Sequence, residues 1–392
     1  MATAHGTVAP GFEPVRDVFE KQFADGENLG AGVAVYHRGK PVVDLWGGIA
    51  DEASGRPWER DTMAFSYSTT KGLTATCVHI LADRGLLKYD DLVSRYWPEF
   101  AQNGKDKITI HHLLTHQAGV PQLPEGTTAT DMLDWEKMVR GIEREGPVWE
   151  PGTNTGYHAL TFGWLNGEVV RRICGRSLGT FLRDDICQPL GIDGMYIGAP
   201  AAVEPRIATL VERFNLTPEM EEARAAAMAA IPADNLLSRA MSPADGSMGA
   251  GFHNTPAAHQ AEIPAISGIM TARDLARMYA CLANYGELDG VRLLSEDTVR
   301  AASKLQTYKP DAVIVLPVAF SLGYMNGAPG WPQGERDSAF GHPGYGGSIG
   351  FADPEIEMSF GLVCNVLTLG LTGAGRASTL ADTARACITA AA

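Results

Sequence analysis

The run Ser68-Thr69-Thr70-Lys71 sets a hydroxyl and an amine three positions apart. On the first turn of a helix such positions share a face, so the Lys71 amine can reach the Ser68 hydroxyl. A serine hydroxyl is a poor nucleophile until a neighbouring base takes its proton. A helix start adds backbone N–H groups and positive potential suited to an oxyanion. Ser-x-x-Lys also arises by chance, so its weight comes from context. It follows a short extended segment and opens an amphipathic helix with Leu73, Cys77, Ile80 and Leu81 on one face. A second run, Pro151-Gly152-Thr153-Asn154-Thr155-Gly156-Tyr157-His158-Ala159, puts a tyrosine in a Gly-rich loop before a helix predicted at about 160–174. Beside a lysine ammonium its phenolate would be stabilised and its pKa drawn below about 10; a tyrosine packed on its own loop is the competing reading. In a third run, Gly341-His342-Pro343-Gly344-Tyr345-Gly346-Gly347, glycine permits close backbone approach. The Tyr345 N–H is a candidate second oxyanion donor there, with a Gly-rich strand corner as the alternative.

The elements that must position these runs are readable from periodicity and turn residues. A helix is predicted over 13–25, then strands over 31–37 and 41–47 joined by a tight turn at Arg38-Gly39-Lys40. The helix opening near Ser68 stops at Gly85, and short helices punctuated by Gly and Pro fill 90–200. Residues 213–232 read as helical and 238–262 as irregular, so that 213–262 forms a pocket wall or lid. Helices follow over 271–285 and 295–305. Strands are expected at 312–324, 338–343, 347–353 and 357–364, with a turn at Asp353-Pro354-Glu355, before a C-terminal helix from 373. Strands at both ends with helices between them predict an α/β (α+β) fold. Residues 1–75 and 265–392 would form a discontinuous, mostly antiparallel sheet domain, residues 76–264 a mainly helical one, with the site in the cleft between.

The chain of 392 residues is 45% hydrophobic and 20% charged, with a net charge of -14. That balance fits a soluble globular protein and disfavours nucleic acid or an anionic membrane as partner. Six scattered cysteines form no zinc-like spacing. The N-terminus lacks a basic and apolar leader, and no run reaches the roughly 18 apolar residues of a membrane span. A cytoplasmic location is the expectation. No G-x-G-x-x-G or P-loop occurs, so no cofactor is expected. His112 and His116 stand four apart, but position 113 is Leu where H-E-x-x-H needs Glu, and no metal is assigned. Gly346-Gly347-Ser348-Ile349-Gly350 matches the G-x-S-x-G nucleophile elbow. That elbow requires a following helix and a later histidine, whereas the segment reads on as strand and no histidine follows His342.

The three runs in this order resemble the class C β-lactamase and penicillin-binding-protein superfamily, nearest to its family VIII carboxylesterases. The likeness spans about residues 12–390 and includes Asp83-Arg84-Gly85-Leu86-Leu87, Ile110-His111-His112-Leu113-Leu114-Thr115-His116 and Ile269-Met270-Thr271-Ala272-Arg273-Asp274-Leu275. The resemblance implies a β-lactamase-like fold and an acyl-serine mechanism. Ser68 would be the nucleophile, Lys71 and Tyr157 the coupled base, and the Ser68 and Tyr345 N–H groups the oxyanion hole. The superfamily's Tyr-x-Asn appears here as Tyr157-His158-Ala159, without the amide. Its Lys-Thr-Gly appears as His342-Pro343-Gly344, which removes a permanent cation and a hydroxyl. His158, His342 and Gly344 are then the candidate substrate-binding residues, and His342 is mostly uncharged near neutrality. A site so stripped suits a small uncharged ester, of short acyl chain, better than a charged lactam or peptide. A β-lactamase, D-amino-acid peptidase or amidase, an acyltransferase and a catalytically silent binding protein are the alternatives; self-association is left open.

Overall fold

The structure, a computed structural model, describes residues 4–213, 217, 219–222, 235–368 and 375–390. Ten strands build the main sheet. They are β1 (His5–Val8), β2 (Gly30–His37), β3 (Lys40–Asp51), β4 (Arg56–Pro57), β5 (Thr307–Pro310), β6 (Pro317–Phe320), β7 (Met325–Asn326), β8 (Phe340–Pro343), β9 (Ile349–Asp353) and β10 (Met358–Cys364). Their spatial order is β1-β3-β2-β10-β9-β8-β7-β6-β5, with β4 paired to β3, and every pairing is antiparallel. The two ends of the chain therefore meet at the centre of one sheet, where β2 pairs β10.

Local chemistry explains the edges of these elements. Arg38 and Gly39 both take positive φ, 52° and 68°, the turn whose twist matches that of the flanking strands. The β9–β10 connection is one helical turn at Pro354–Ile356 closed by Glu357 at φ 50°. Strands β2, β9 and β10 are buried on both faces, apart from His37 at the end of β2, because helices cover the sheet on each side. On one side α1 (Glu13–Ala24) and the C-terminal helix, Arg376–Ala390, pack Val15, Phe19, Leu380 and Ala384 against Val33, Leu45, Phe351 and Phe360. On the other lie α2 (Thr70–Asp83) and the helix Ala272–Ala283, in a core continuous with the helical region. In α2 every residue from Thr70 to Leu81 is buried, which makes it a core helix and not the half-exposed amphipathic one expected. A third helix, α3 (Thr161–Cys174), is buried from Thr161 to Val170 and packs on α2.

Two expectations change. Of the strand predicted over 312–324, residues 317–320 form β6, whereas 311–316 make the turn that joins it to β5. The apolar run Val313–Leu316 reads as strand, but the Asp311 carboxylate accepts the Val313 and Ile314 N–H groups and folds it back. The stretch 238–262 holds three short helices, Leu236–Met241, Ala250–His253 and Pro256–Gln260. Most of the helix expected over 213–232 lies outside the described residues.

Candidate active site

Ser68 sits on the turn between a short strand, Ala64–Phe65, and α2, whose helical residues begin at Thr70. Tyr67 before it is held at φ 46°, an uncommon conformation for a bulky residue. The turn is fixed by its neighbours: Ser66 N–H donates to Gly268 O, and Gly268 N–H to the Thr70 hydroxyl. The Tyr67 ring packs edge-on against Tyr345, Phe65 and His253.

The structure brings Ser68, Lys71 and Tyr157 together. The Tyr157 hydroxyl donates to Ser68 Oγ at 2.9 Å, and Lys71 Nζ lies 3.1 Å from the same oxygen. Nζ also donates to the carbonyls of Ala159 at 2.7 Å and Ala265 at 3.1 Å. Lys71 is fully buried, and among the described residues no carboxylate pairs with it, so desolvation holds its pKa well below 10.5. The phenol responds in the opposite sense to that expected. Burial raises the Tyr157 pKa, outweighing the Ser68 hydrogen bond, and Asp311 adds to the rise. Lys71 Nζ stands over the ring face, 4.8 Å from its centroid, and is not among the causes that move the phenol's pKa.

Tyr157 is positioned by a residue that the sequence reading missed. Asp311 Oδ1 accepts the Tyr157 N–H at 3.0 Å together with those of Val313 and Ile314. Asp311 is distant in sequence and sits in a segment that reads as strand, so no local signal marked it. His116 adopts φ 58° and accepts the His158 N–H through Nδ1. Its ring packs against Tyr157, Phe162 and Phe320.

A narrow cavity of about 30 Å³ lies in front of Ser68, lined by Tyr157, Met241, Ile314, Met325, Trp331, His342, Pro343 and Tyr345. Among the described residues no arginine or lysine lines it. His342 is buried, with Nδ1 donating to Pro343 O at 2.7 Å, so Nε2 carries the lone pair, and among the described residues that atom has no partner. Burial, with Lys71 nearby, lowers its pKa to about 3. His342 lines the cavity, and its lowered pKa favours the neutral ring.

His158 and Gly344 do not line this cavity. The His158 ring is buried, Nδ1 donating to Gly156 O and Nε2 accepting the Val120 N–H, which leaves no ring nitrogen for a ligand. Its expected role as a binding residue is thus replaced by support of the Tyr157 loop. Gly344 acts through its missing side chain: a Cβ there would lie 2.2 Å from Ser66 O and 2.7 Å from Thr69 Oγ1. That close approach seats residues 344–348 on the Ser68 turn, where Thr69 Oγ1 donates to Ser348 O. Ser348 is buried and its segment continues as β9, so no elbow forms. Among the described residues no group of three His, Cys, Asp or Glu side chains is arranged to hold a metal.

A serine hydroxyl set between a buried amine and a phenol, at the start of a core helix beside an antiparallel sheet, is an arrangement suited to acyl transfer onto serine. The chain belongs to the beta-lactamase family, whose sequence model matches residues 15–385. It is 39% identical over 376 residues to the esterase/beta-lactamase LipL of Mycobacterium tuberculosis, covering 92% of this chain and 83% of that protein. Among solved structures, a family VIII carboxylesterase matches with a TM-score of 0.89 at 36% identity, over 98% of this chain and 99% of that one. A penicillin-binding protein homolog from Caulobacter crescentus matches over the same shares with a TM-score of 0.86, also at 36% identity. No helix among the described residues is long and apolar enough to cross a membrane.

Proposed function

We propose that the protein hydrolyses small, uncharged carboxylic esters through an acyl-serine intermediate, with Ser68 as nucleophile. The observation that carries this reading is the hydrogen bonding of Lys71. A neutral amine has two N–H bonds and one lone pair. In that form the carbonyls of Ala159 and Ala265 hold the two N–H bonds, and the lone pair is left for the Ser68 hydroxyl 3.1 Å away. Burial favours that neutral form. Lys71 is therefore the base, and the neutral Tyr157 phenol holds Ser68 Oγ and relays protons.

In the acylation step Ser68 Oγ attacks the ester carbonyl as its proton passes to Lys71 Nζ. The carbonyl oxygen takes up negative charge against the Ser68 and Tyr345 N–H groups. As the C–O bond to the alcohol breaks, Lys71 returns the proton to the leaving oxygen through Tyr157. Water then attacks the acyl-enzyme by the same sequence and releases the acid. The narrowness of the cavity, about 30 Å³ and far below the usual range for ligand pockets, favours a short acyl group. A neutral His342 and the lack, among the described residues, of any lining cation favour an uncharged ester over a carboxylate-bearing lactam or peptide. The LipL and family VIII carboxylesterase relatives support the same reaction class. The six unpaired cysteines support a cytoplasmic location, which fractionation of the native host cells tests.

The test is intact mass after brief exposure to an alkyl fluorophosphonate, with the modified peptide mapped. A single adduct on Ser68 is expected; an adduct on Ser348, or none, overturns the assignment. Steady-state rates on a p-nitrophenyl ester, a β-lactam and a D-amino-acid amide, side by side, then separate esterase from the other chemistries of the scaffold, with the ester fastest.

A further inference from the structure

Arg376, the first residue of the C-terminal helix, is buried, and among the described residues it has no carboxylate partner. A guanidinium so placed is costly unless its donors are well used. Its Nη1 donates to Glu27 O at 2.7 Å and Asn28 Oδ1 at 2.9 Å. Its Nη2 donates to Gly346 O at 2.5 Å and reaches Val366 O and Cys364 Sγ, each at 3.1 Å. The guanidinium does not line the cavity in front of Ser68. It packs behind the Gly346–Gly347 backbone, where a Cβ on Gly347 would lie 2.4 Å from Nη2. Gly346 and Gly347 both take left-handed φ, 84° and 114°, which lets the loop present the Gly346 carbonyl to the cation.

From this carbonyl a hydrogen-bonded path leads to the cavity. Gly346 O belongs to the same peptide unit as the Gly347 N–H, and that N–H donates to Gly344 O at 3.1 Å. Gly344 O in turn shares its peptide unit with the Tyr345 N–H. We propose that Arg376 is a positioning residue of the oxyanion hole, which holds the 344–348 loop from behind and polarises the Tyr345 N–H through these two peptide units. Peptide groups in such a chain strengthen one another, and a full positive charge at its head pulls electron density along it. The loop is then clamped from both sides, by Thr69 on the Ser68 turn and by Arg376 on the C-terminal helix. The inference rests on the reading of Ser68 as nucleophile and Tyr345 N–H as oxyanion donor.

The test compares the wild-type protein with Arg376→Lys and Arg376→Met, using p-nitrophenyl acetate kinetics and infrared difference spectra of an acyl-enzyme made from a slowly deacylating, carbonyl-¹³C-labelled ester. Removing an oxyanion donor outright costs roughly 10²–10³ in kcat, so weakening one is expected to cost about 10-fold in Arg376→Met with KM nearly unchanged. The acyl carbonyl band moves to higher frequency in Arg376→Met, and Arg376→Lys, which keeps the charge, falls between. Because a loss of folded protein lowers apparent activity without moving the band, the spectrum separates polarisation from stability. Should Arg376→Met fail to fold, Arg376→Lys carries both readouts. Unchanged kcat and band in a folded variant, with a lowered carbonyl frequency in the wild type, overturn the role of Arg376 alone. No acyl-enzyme on Ser68 in the wild type, or an acyl carbonyl as in free solution, overturns the underlying site reading as well.

Discussion

Gly344→Ala isolates the close approach on which the proposed oxyanion hole depends. Gly344 lies outside the left-handed region, so alanine is not excluded by backbone conformation. The added Cβ, however, would lie 2.2 Å from Ser66 O, a backbone atom on the turn that carries Ser68. Restoring the 3.4 Å of an ordinary contact requires about 1.2 Å of separation between the two segments. Tyr345 is the next residue, so its N–H moves away from Ser68 by a similar amount, while Lys71 and Tyr157 keep their places. A displacement of about 1 Å in catalytic geometry costs about 10²-fold, equivalent to about 2.7 kcal/mol of transition-state stabilisation. Overpacking adds about 1–3 kcal/mol of lost stability. The assay is kcat and KM on p-nitrophenyl acetate, with thermal unfolding as the control for folding. The expected result is a fall of about 100-fold in kcat, KM within a few-fold, and a Tm lowered by a few degrees. A folded Gly344→Ala protein with wild-type kcat would refute both the packing argument and the placement of the Tyr345 N–H in the reaction.

Four further outcomes are expected. Ser68→Ala abolishes turnover and fluorophosphonate labelling with little change in Tm, since Ser68 is half-buried and the turn is held by its neighbours. Lys71→Met, of similar length, lowers kcat by about 10²-fold or more, and a variant that keeps wild-type turnover would remove Lys71 as the base. In wild-type kcat/KM profiles the activity rises with pH as the Lys71 amine loses its proton, at a pKa well below 10.5, and does not fall again up to pH 10 because the Tyr157 phenol is raised above that value. Stability falls in acid: His79 and His158 are lowered to about 4 and His253 and His342 to about 3, so the unfolded chain takes up protons first as pH drops below 6.5. Each of these groups costs about 1.4 kcal/mol per pH unit between 6.5 and its folded value, full stability being present above 6.5. Urea unfolding at pH 7, 6 and 5 measures this, and a flat profile would contradict the neutral, buried state of these rings.

Much of the site was legible because it is written in short-range terms. The three-residue offset of Ser68 and Lys71 becomes proximity as soon as a helix forms, and the Arg38-Gly39 turn encodes its hairpin in two residues. The rejection of Ser348 as an elbow also followed from local pattern, since its strand continues as β9. The family resemblance supplied the pairing of Ser68 with Tyr157 across 89 positions, which no periodicity contains. Less visible were the residues whose meaning depends on what packs around them. Val313–Leu316 carries the pattern of a strand, yet Asp311 turns it back and spends its carboxylate on the Tyr157 loop. His158 looked available for substrate, but its ring is consumed by Gly156 and Val120.

The same division governs the chemistry. Residue type and spacing determined that a hydroxyl, an amine and a phenol were present and which two would be neighbours. Which of them holds the proton was decided only by the tertiary structure. A pKa is set by how much water the surrounding chain removes and by which distant carbonyls and carboxylates it brings near. Here complete burial lowers the lysine pKa and raises that of the tyrosine, the reverse of what the two side chains suggest when read alone.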